Sequence, residues 1–368
     1  MADILLREAT LNDREAVDAV RVRNGLEPER AAGAWEWLWR TNPDGFAGTS
    51  PGWVLEDAGC TVGFIGSVPR SYHFRGRIWT AAAARALVVD PEFRRESLRL
   101  VAAFFSNRRV DVLINTSANA AAAAVFRAGG ARVLPQADYD ETLSWVVSGA
   151  GVVSSFLRDR GVGRAMAGAA GRVAAPLAGA ALILSRRSPG ASRVTVKVHD
   201  PARVGEPFDR LWQELCTEWP ERFLARRDSA ALRWQWGDPA AASRQPSILA
   251  VQSDGAVQGY AVVTREDSQR LGLKRARIVD LIARGDCPTT LRALIAAAYR
   301  HAREQQVHVL EMLGFPRPVR AVALTLRPFR RRLPTWPFWY RALSPELRPA
   351  LDSEAAWYAS PLDGDAAL

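Results

Sequence analysis

One series of landmarks occurs twice along this chain, and it constrains the fold more than any single motif does. The first copy runs Trp35-x-Trp37, Pro43, an apolar run from Gly52, an Asp57-Ala-Gly59 turn, then Val62-Gly63-Phe64. The second runs Trp234-x-Trp236, Pro239, an apolar run from Ile248, an Asp254-Gly255 turn, then Val257-Gln-Gly259-Tyr260. Pro43 and Pro239 are 196 positions apart, and so are Gly63 and Gly259. Two apolar runs around an Asp-Gly-type turn predict a β-hairpin, and self-similarity at one long spacing argues duplication of a whole unit. A length of 368 residues suits two such units and a connector.

Downstream of each hairpin the pattern continues. In the first half a strand is expected at about Tyr72 to Ala84, leading into the buried-strand signature of Leu87-Val-Val89-Asp90, which Pro91 stops. Leu98, Val101, Ala102 and Phe105 then recur at helical spacing. A helix N-terminus displays unpaired N–H groups, so a short loop there carrying Arg94 and Arg95 is suited to a phosphate. Val110 to Asn115 reads as a strand, Asn119 onward as a helix ended by Gly129-Gly130, and about Thr142 to Val147 as a last strand. The second half offers a helix at Phe208 to Trp212, a long central strand at Ala276 to Ala283, a helix from Pro288 to about Glu304, and a strand at Val307 to Leu313.

In that order, with Ile4-Leu-Leu-Arg7-Glu8-Ala9-Thr10 as opening strand, the pieces resemble the GCN5-related N-acetyltransferase (GNAT) superfamily. The resemblance implies an α+β fold of two tandem GNAT-like domains, each a mixed, mostly antiparallel twisted sheet flanked by helices. Their expected extents are 1–147 and 200–368, with a partly helical connector at 148–199. It further implies an acyl-CoA, acetyl-CoA in the first place. Leu87, Val88 and Val89 would pair with its pantetheine arm, Arg94, Arg95, Ser97, Leu98 and Arg99 would meet its pyrophosphate, and Asn119 and Phe126 would stand at the family's positions on the following helix.

Two departures accompany the likeness. The run Arg94-Arg-Glu-Ser97-Leu-Arg99 lacks the glycines that let a backbone approach a pyrophosphate. Phe126 stands where the family often has a proton-donating Tyr, and a phenyl ring has no proton to give. In the second half Arg284-Gly-Asp286 would put a carboxylate where phosphate should sit, so the first half is the expected donor half. Arg160-Gly-Val-Gly163-Arg-Ala165 matches the loop pattern letter for letter but falls in the connector, out of register with strand and helix.

Acyl transfer to an amine needs aligned reactants and a stabilised oxyanion. The backbone N–H of Val88 or Val89 is the natural oxyanion donor under the resemblance. Carboxylates on central strands, Asp90, Asp280 and Glu311, are the base candidates, with Tyr340 as an alternative proton donor. The expected activity is N-acyl transfer to a small-molecule amine, such as an amino sugar or sugar nucleotide in polysaccharide synthesis. Two rivals stand beside it: a non-catalytic GNAT-like scaffold, and a transferase like the Fem-type peptidyltransferases, which also pair two such folds and use aminoacyl-tRNA.

The net charge of +10 favours an anionic partner, but arginine supplies nearly all of it, Lys197 and Lys274 being the only lysines, as a GC-rich coding sequence would also produce. Nucleic acid is therefore not an expected partner. Cys60, Cys216 and Cys287 and the four histidines show no metal-ligand spacing, so no metal is expected. The start shows no secretory pattern, and 165–184, broken by Arg172 and Pro176, is marginal as a span. The expectation is a cytoplasmic protein whose arginine-rich connector can lie on an anionic membrane. In the tail, Trp336 to Arg341 and Trp357-Tyr358 are expected to close the second domain's core, and Asp363 to cap a turn.

Overall fold

A computed structural model of the chain describes residues 4–26, 33–46, 48–161, 189–190, 193–237, 239–332 and 337–364, with positions 166, 168, 169 and 173. Positions 162–165 of the 160–165 pattern and about half of the connector lie outside them, as does Trp336. The first sheet is built from β1 (Leu5–Glu8), β2 (Gly52–Asp57), β3 (Cys60–Phe74), β4 (Arg77–Val89), β5 (Val112–Asn115) and β6 (Arg132–Val133), with the short β9 (Leu224–Ala225) of the second half paired onto β3. The second uses β7 (Glu141–Val146), β8 (Val196–His199), β10 (Ser247–Ser253), β11 (Ala256–Arg265), β12 (Arg275–Ala283), β13 (Val309–Leu313) and β14 (Phe329–Arg332). Helices α1 (Arg14–Arg23), α2 (Ala34–Trp39), α3 (Ser97–Phe105), α4 (Ala120–Ala128) and α5 (Gly149–Asp159) belong to the first half. The second half adds α6 (Glu206–Glu218), α7 (Pro288–Glu304) and α8 (Arg317–Thr325). The result is a mixed α+β fold with two mostly antiparallel sheets.

Each sheet contains the same core path. An antiparallel hairpin, β2–β3 or β10–β11, pairs with a long strand, β4 or β12, which pairs in parallel with β5 or β13. The expected turns hold: Asp254 and Gly255 both take positive φ, the type I′ combination that suits a two-residue hairpin. One expectation needs correcting. A single strand from Tyr72 to Ala84 does not exist, because Arg75 and Gly76 both take positive φ and turn the chain between β3 and β4. An Arg-Gly pair is a weaker turn signal than Asn-Gly or Asp-Gly, which is why the run read as continuous.

The halves exchange strands. β7, from the first half, lies antiparallel between β13 and β14 of the second sheet. β15 (Trp339–Ala342), from the far end of the chain, lies between β5 and β6 of the first. The Trp-x-Trp segments meet reciprocally. The Trp37 indole donates to the Trp234 carbonyl and the Trp234 indole to the Trp37 carbonyl, each at 2.7 Å, with the rings stacked 5.5 Å apart. Such reciprocity is what a two-fold relation between like surfaces produces. One apolar core then runs across both sheets, and a smaller one, with Phe104, Phe105 and Phe126, lies beneath α3 and α4.

At the open end of the first sheet Arg7 donates to Asp13 at 2.6 Å and to Glu56 at 2.5 Å, tying β1, the start of α1 and β2 together. The Arg7 hydrogen bonds, helped by the Thr10 N–H, hold the Asp13 carboxyl down at about 2. A depressed acid contributes stability that is present above its unfolded value and lost as pH falls through its folded one. We therefore expect denaturant unfolding to show a loss of about 2 kcal/mol between about pH 5 and pH 2 that an Asp13→Asn variant does not share.

A candidate acyl-donor site where two parallel strands part

β4 and β5 pair only through Ala81–Val112, Ala82–Leu113 and Ala83–Ile114. Beyond that point β4 continues to Val89 while β5 ends at Asn115, whose side-chain amide donates to the Ala84 carbonyl at 3.3 Å and accepts from the Ala118 N–H at 2.7 Å. The strands part because β4 is bulged: the β3–β4 register shifts between Phe64 and Gly66, and Ala86 takes a φ of 52°. Leu87 to Val89 thus present a strand edge that β5 does not reach.

The ladder tells which amide faces that edge. The Asp90 N–H bonds back to the Val62 carbonyl at 2.9 Å. Along an antiparallel strand successive N–H groups alternate in direction, so Val88, like Asp90, turns its N–H toward β3. Val89, opposite Gly63, turns its own away, into the gap. Of the two oxyanion donors considered, the geometry favours Val89.

The basic loop differs from a phosphate cradle. Pro91 to Glu96 form 3-10 turns running straight into α3, where the Phe93 N–H is bonded to the Asp90 carbonyl at 2.9 Å and the Ser97 N–H to the Arg94 carbonyl. Those amides are already spent, so an anion here must rely on side chains. Arg94 and Arg95 are exposed. Ser97 turns its hydroxyl onto the Arg94 carbonyl, and Arg99 pairs with Glu96 at 3.1 Å. Leu98 points to solvent at 59% exposure. Asn119 caps α4 by accepting from the Ala122 N–H, and Phe126 is buried against Phe104 and Phe105. Arg94 and Arg95 stand in the turn that follows the end of β4, while Asn119 and Phe126 are accounted for by local folding.

The four catalytic candidates do not converge. Asp280 has no exposed surface: it accepts from Arg227 at 3.1 Å, the Tyr260 hydroxyl at 2.8 Å and the Ser360 hydroxyl at 3.0 Å. A carboxylate so enclosed holds the fold rather than accepting a substrate proton, and its neighbours on β12, Val279 and Leu281, are buried with it. Glu311 is held by Arg275 and Arg277 in the second sheet. Asp90 directly follows β4, but Arg23 at 2.6 Å and the Asn24 amide at 2.7 Å occupy it. Tyr340 sits in the first sheet, donating to Asp352 at 2.9 Å, and its phenol is pushed up by burial and by that carboxylate.

The tail forms a strap from Trp357 to Gly364 whose partners the sequence did not reveal. Tyr358 donates to the Leu281 carbonyl at 2.7 Å, so the strap covers the stretch of β12 beyond its pairing with β13, which ends at Ile278. Ser360 and Asp363 form a capping box, as expected of Asp363 as a turn cap. Two buried arginines bind the strap: Arg70 donates to the Leu362 carbonyl at 2.7 Å, and Arg227 reaches Asp363 at 3.3 Å. Burial raises the Asp363 carboxyl, partly offset by Arg227. Burial also opposes the Arg227 charge, but Asp280 and Asp363 hold its pKa above the ordinary value. Gly364 lies against Thr116, just past β5, where any side chain would collide with the Thr116 hydroxyl. The strap thus covers the second sheet's counterpart of the gap beyond Ala83 and reaches Thr116 at the end of β5.

No family model matches the sequence, and no curated protein matches it. Solved structures do resemble the fold. A GCN5-related N-acetyltransferase from Kribbella flavida superposes with a TM-score of 0.59 at 15% identity, over 95% of this chain and 72% of that one. Another, from Anabaena variabilis, gives 0.57 at 12% identity over 93% and 73%. Saccharomyces cerevisiae N-myristoyltransferase, solved with myristoyl-CoA, gives 0.52 at 11% identity over 93% and 79%. At such low identity these likenesses speak for the architecture alone: the chain has a GNAT-type fold.

Proposed function

We propose that the protein is an N-acyltransferase that binds an acyl-CoA, acetyl-CoA first among them, in the first-half gap and passes the acyl group to an amine. The observation that carries this reading is the edge of β4 from Leu87 to Val89, beyond the reach of β5, with the Val89 N–H turned into the gap. A pantetheine arm is itself an amide chain, and such an edge can pair with it as a neighbouring strand would. Arg94 and Arg95 would supply the phosphate contacts that the spent loop amides cannot. The amine nitrogen attacks the thioester carbonyl, the C–N bond forms, the C–S bond breaks, and the amine's proton ends on the departing thiolate or on water.

In this reading alignment does most of the work, worth up to about 7–11 kcal/mol, with one backbone donor at the oxyanion contributing about 3–4 kcal/mol. Asp90, Asp280, Glu311 and Tyr340 are all engaged elsewhere, so the acceptor must arrive already neutral. The proposed acceptor is a small-molecule amine, such as an amino sugar or sugar nucleotide.

Calorimetry with acetyl-CoA tests the donor half of the proposal; absence of binding by any acyl-CoA would leave the chain as a binding module. A pH profile tests the mechanism. We expect kcat/KM to rise with pH up to the acceptor's own ammonium pKa and to shift when an amine of different pKa is used. An inflection that stays fixed as the acceptor changes would reveal a protein base and refute the unassisted mechanism.

A further inference from the structure

On the outer face of the first sheet, where α3 and α4 both end beside β15, lies an open groove of about 520 Å³, within the size range of small-molecule sites. Its floor is apolar: Leu98, Val101 and Phe105 recur along α3, and Val125 of α4 faces them. Its charged residues are Arg108, Arg341 and Arg348, and no carboxylate is among its described lining residues. A second hollow of about 290 Å³ adjoins it and shares Arg341 and Arg348. Its one carboxylate, Asp352, is taken by Arg132 at 2.5 Å and by the Tyr340 hydroxyl.

Arginines near helix C-termini have a ready explanation, the partial negative charge of exposed carbonyls. Two helix ends amount to about one negative charge in all, and three guanidiniums exceed that. Arg348 does serve the backbone, donating to the carbonyls of Ala342 and Leu343. Arg341 lies over the Phe105 ring, 5.2 Å from its centre, and Arg108 is exposed. Leu98 keeps 59% of its surface in water on a helix whose other large apolar residues are buried. An apolar trough under guanidiniums, which bind carboxylates through paired N–H groups, matches a molecule with an alkyl chain and an anionic end.

We infer that this groove binds a single-chain fatty carboxylate. The inference is separate from acyl transfer, since neither the β4 edge nor Arg94 or Arg95 lines the groove; Leu98 is the one lining residue that the resemblance had set at the pyrophosphate. The test is titration of the full chain with cis-parinarate below its micellar concentration, followed by fluorescence, with dodecanoate and dodecyltrimethylammonium as competitors. Saturable binding is expected, displaced by dodecanoate and not by the cation. Leu98→Glu and Arg108→Glu should each weaken it by about tenfold or more. Both positions are exposed, so circular dichroism and the thermal midpoint should match the parent. No saturable binding, equal displacement by the cation, or affinity unchanged in both variants would overturn the proposal. So would attachment to anionic vesicles that monomeric dodecanoate does not relieve, which would mark a membrane-reading surface instead.

Discussion

Replacing Arg227 with methionine is expected to destabilise the protein by about 3–5 kcal/mol, because it leaves Asp280 and Asp363 buried without their cation. Against a total of about 5–15 kcal/mol for a typical domain, that approaches unfolding. Arg227 is 1% exposed and also donates to the Ala225 carbonyl at 2.8 Å, so four groups lose a partner at once. Urea denaturation followed by tryptophan fluorescence measures the change. The double variant Arg227→Met/Asp280→Asn should recover part of the loss, since one stranded charge has gone with its partner. A single variant as stable as the parent would mean that water reaches the cluster, and the strap would then be a loose cover.

The second large effect concerns the donor. Arg94→Ala with Arg95→Ala removes the two exposed cations of the turn after β4, and the loop amides cannot substitute because they are bonded within the 3-10 turns. Charge-assisted hydrogen bonds contribute about 1.5–3 kcal/mol each, so loss of two should weaken acetyl-CoA binding by about a hundredfold or more. Arg284→Ala, at the equivalent turn of the second half, is the control and should bind as the parent does, since Arg284 faces Glu214 there. If the double variant binds acetyl-CoA unchanged while Arg284→Ala does not, the assignment of donor half is reversed.

Much of the architecture was legible because it follows from short-range rules. The hairpins around Asp57-Ala-Gly59 and Asp254-Gly255, the Pro91 and Pro288 boundaries, and the helical spacing of Leu98, Val101 and Phe105 each depend on neighbours a few positions away. The strand at Leu87 to Val89 was legible for the same reason, but its exposed edge was not, since that depends on the bulge at Ala86 and on where β5 ends. What could not be read is what depends on distant partners. Nothing local in Arg70 or Arg227 distinguishes them from the chain's many surface arginines, and their burial exists only because the strap arrives from 292 and 136 positions away. Asp280 shows the converse: its apolar neighbours correctly announced burial, but whether burial yields a reactive base or a sealed ion pair is decided by Arg227 and Ser360. The last strand expected at Thr142 to Val147 forms nearly where it was placed, yet its partner is β13, because which strand it joins is decided by tertiary contacts and not by its own residues.

The exchanged strands have a consequence for biosynthesis. As the nascent chain leaves the ribosome, β5 emerges early, but the strand that flanks it on one side, Trp339–Ala342, is among the last parts translated. Until then the side of β5 that will receive it is a raw hydrogen-bonding margin, open to pairing with another polypeptide. Expression of residues 1–147 by themselves should therefore give material that clumps, and co-expression with the remainder of the chain should rescue it.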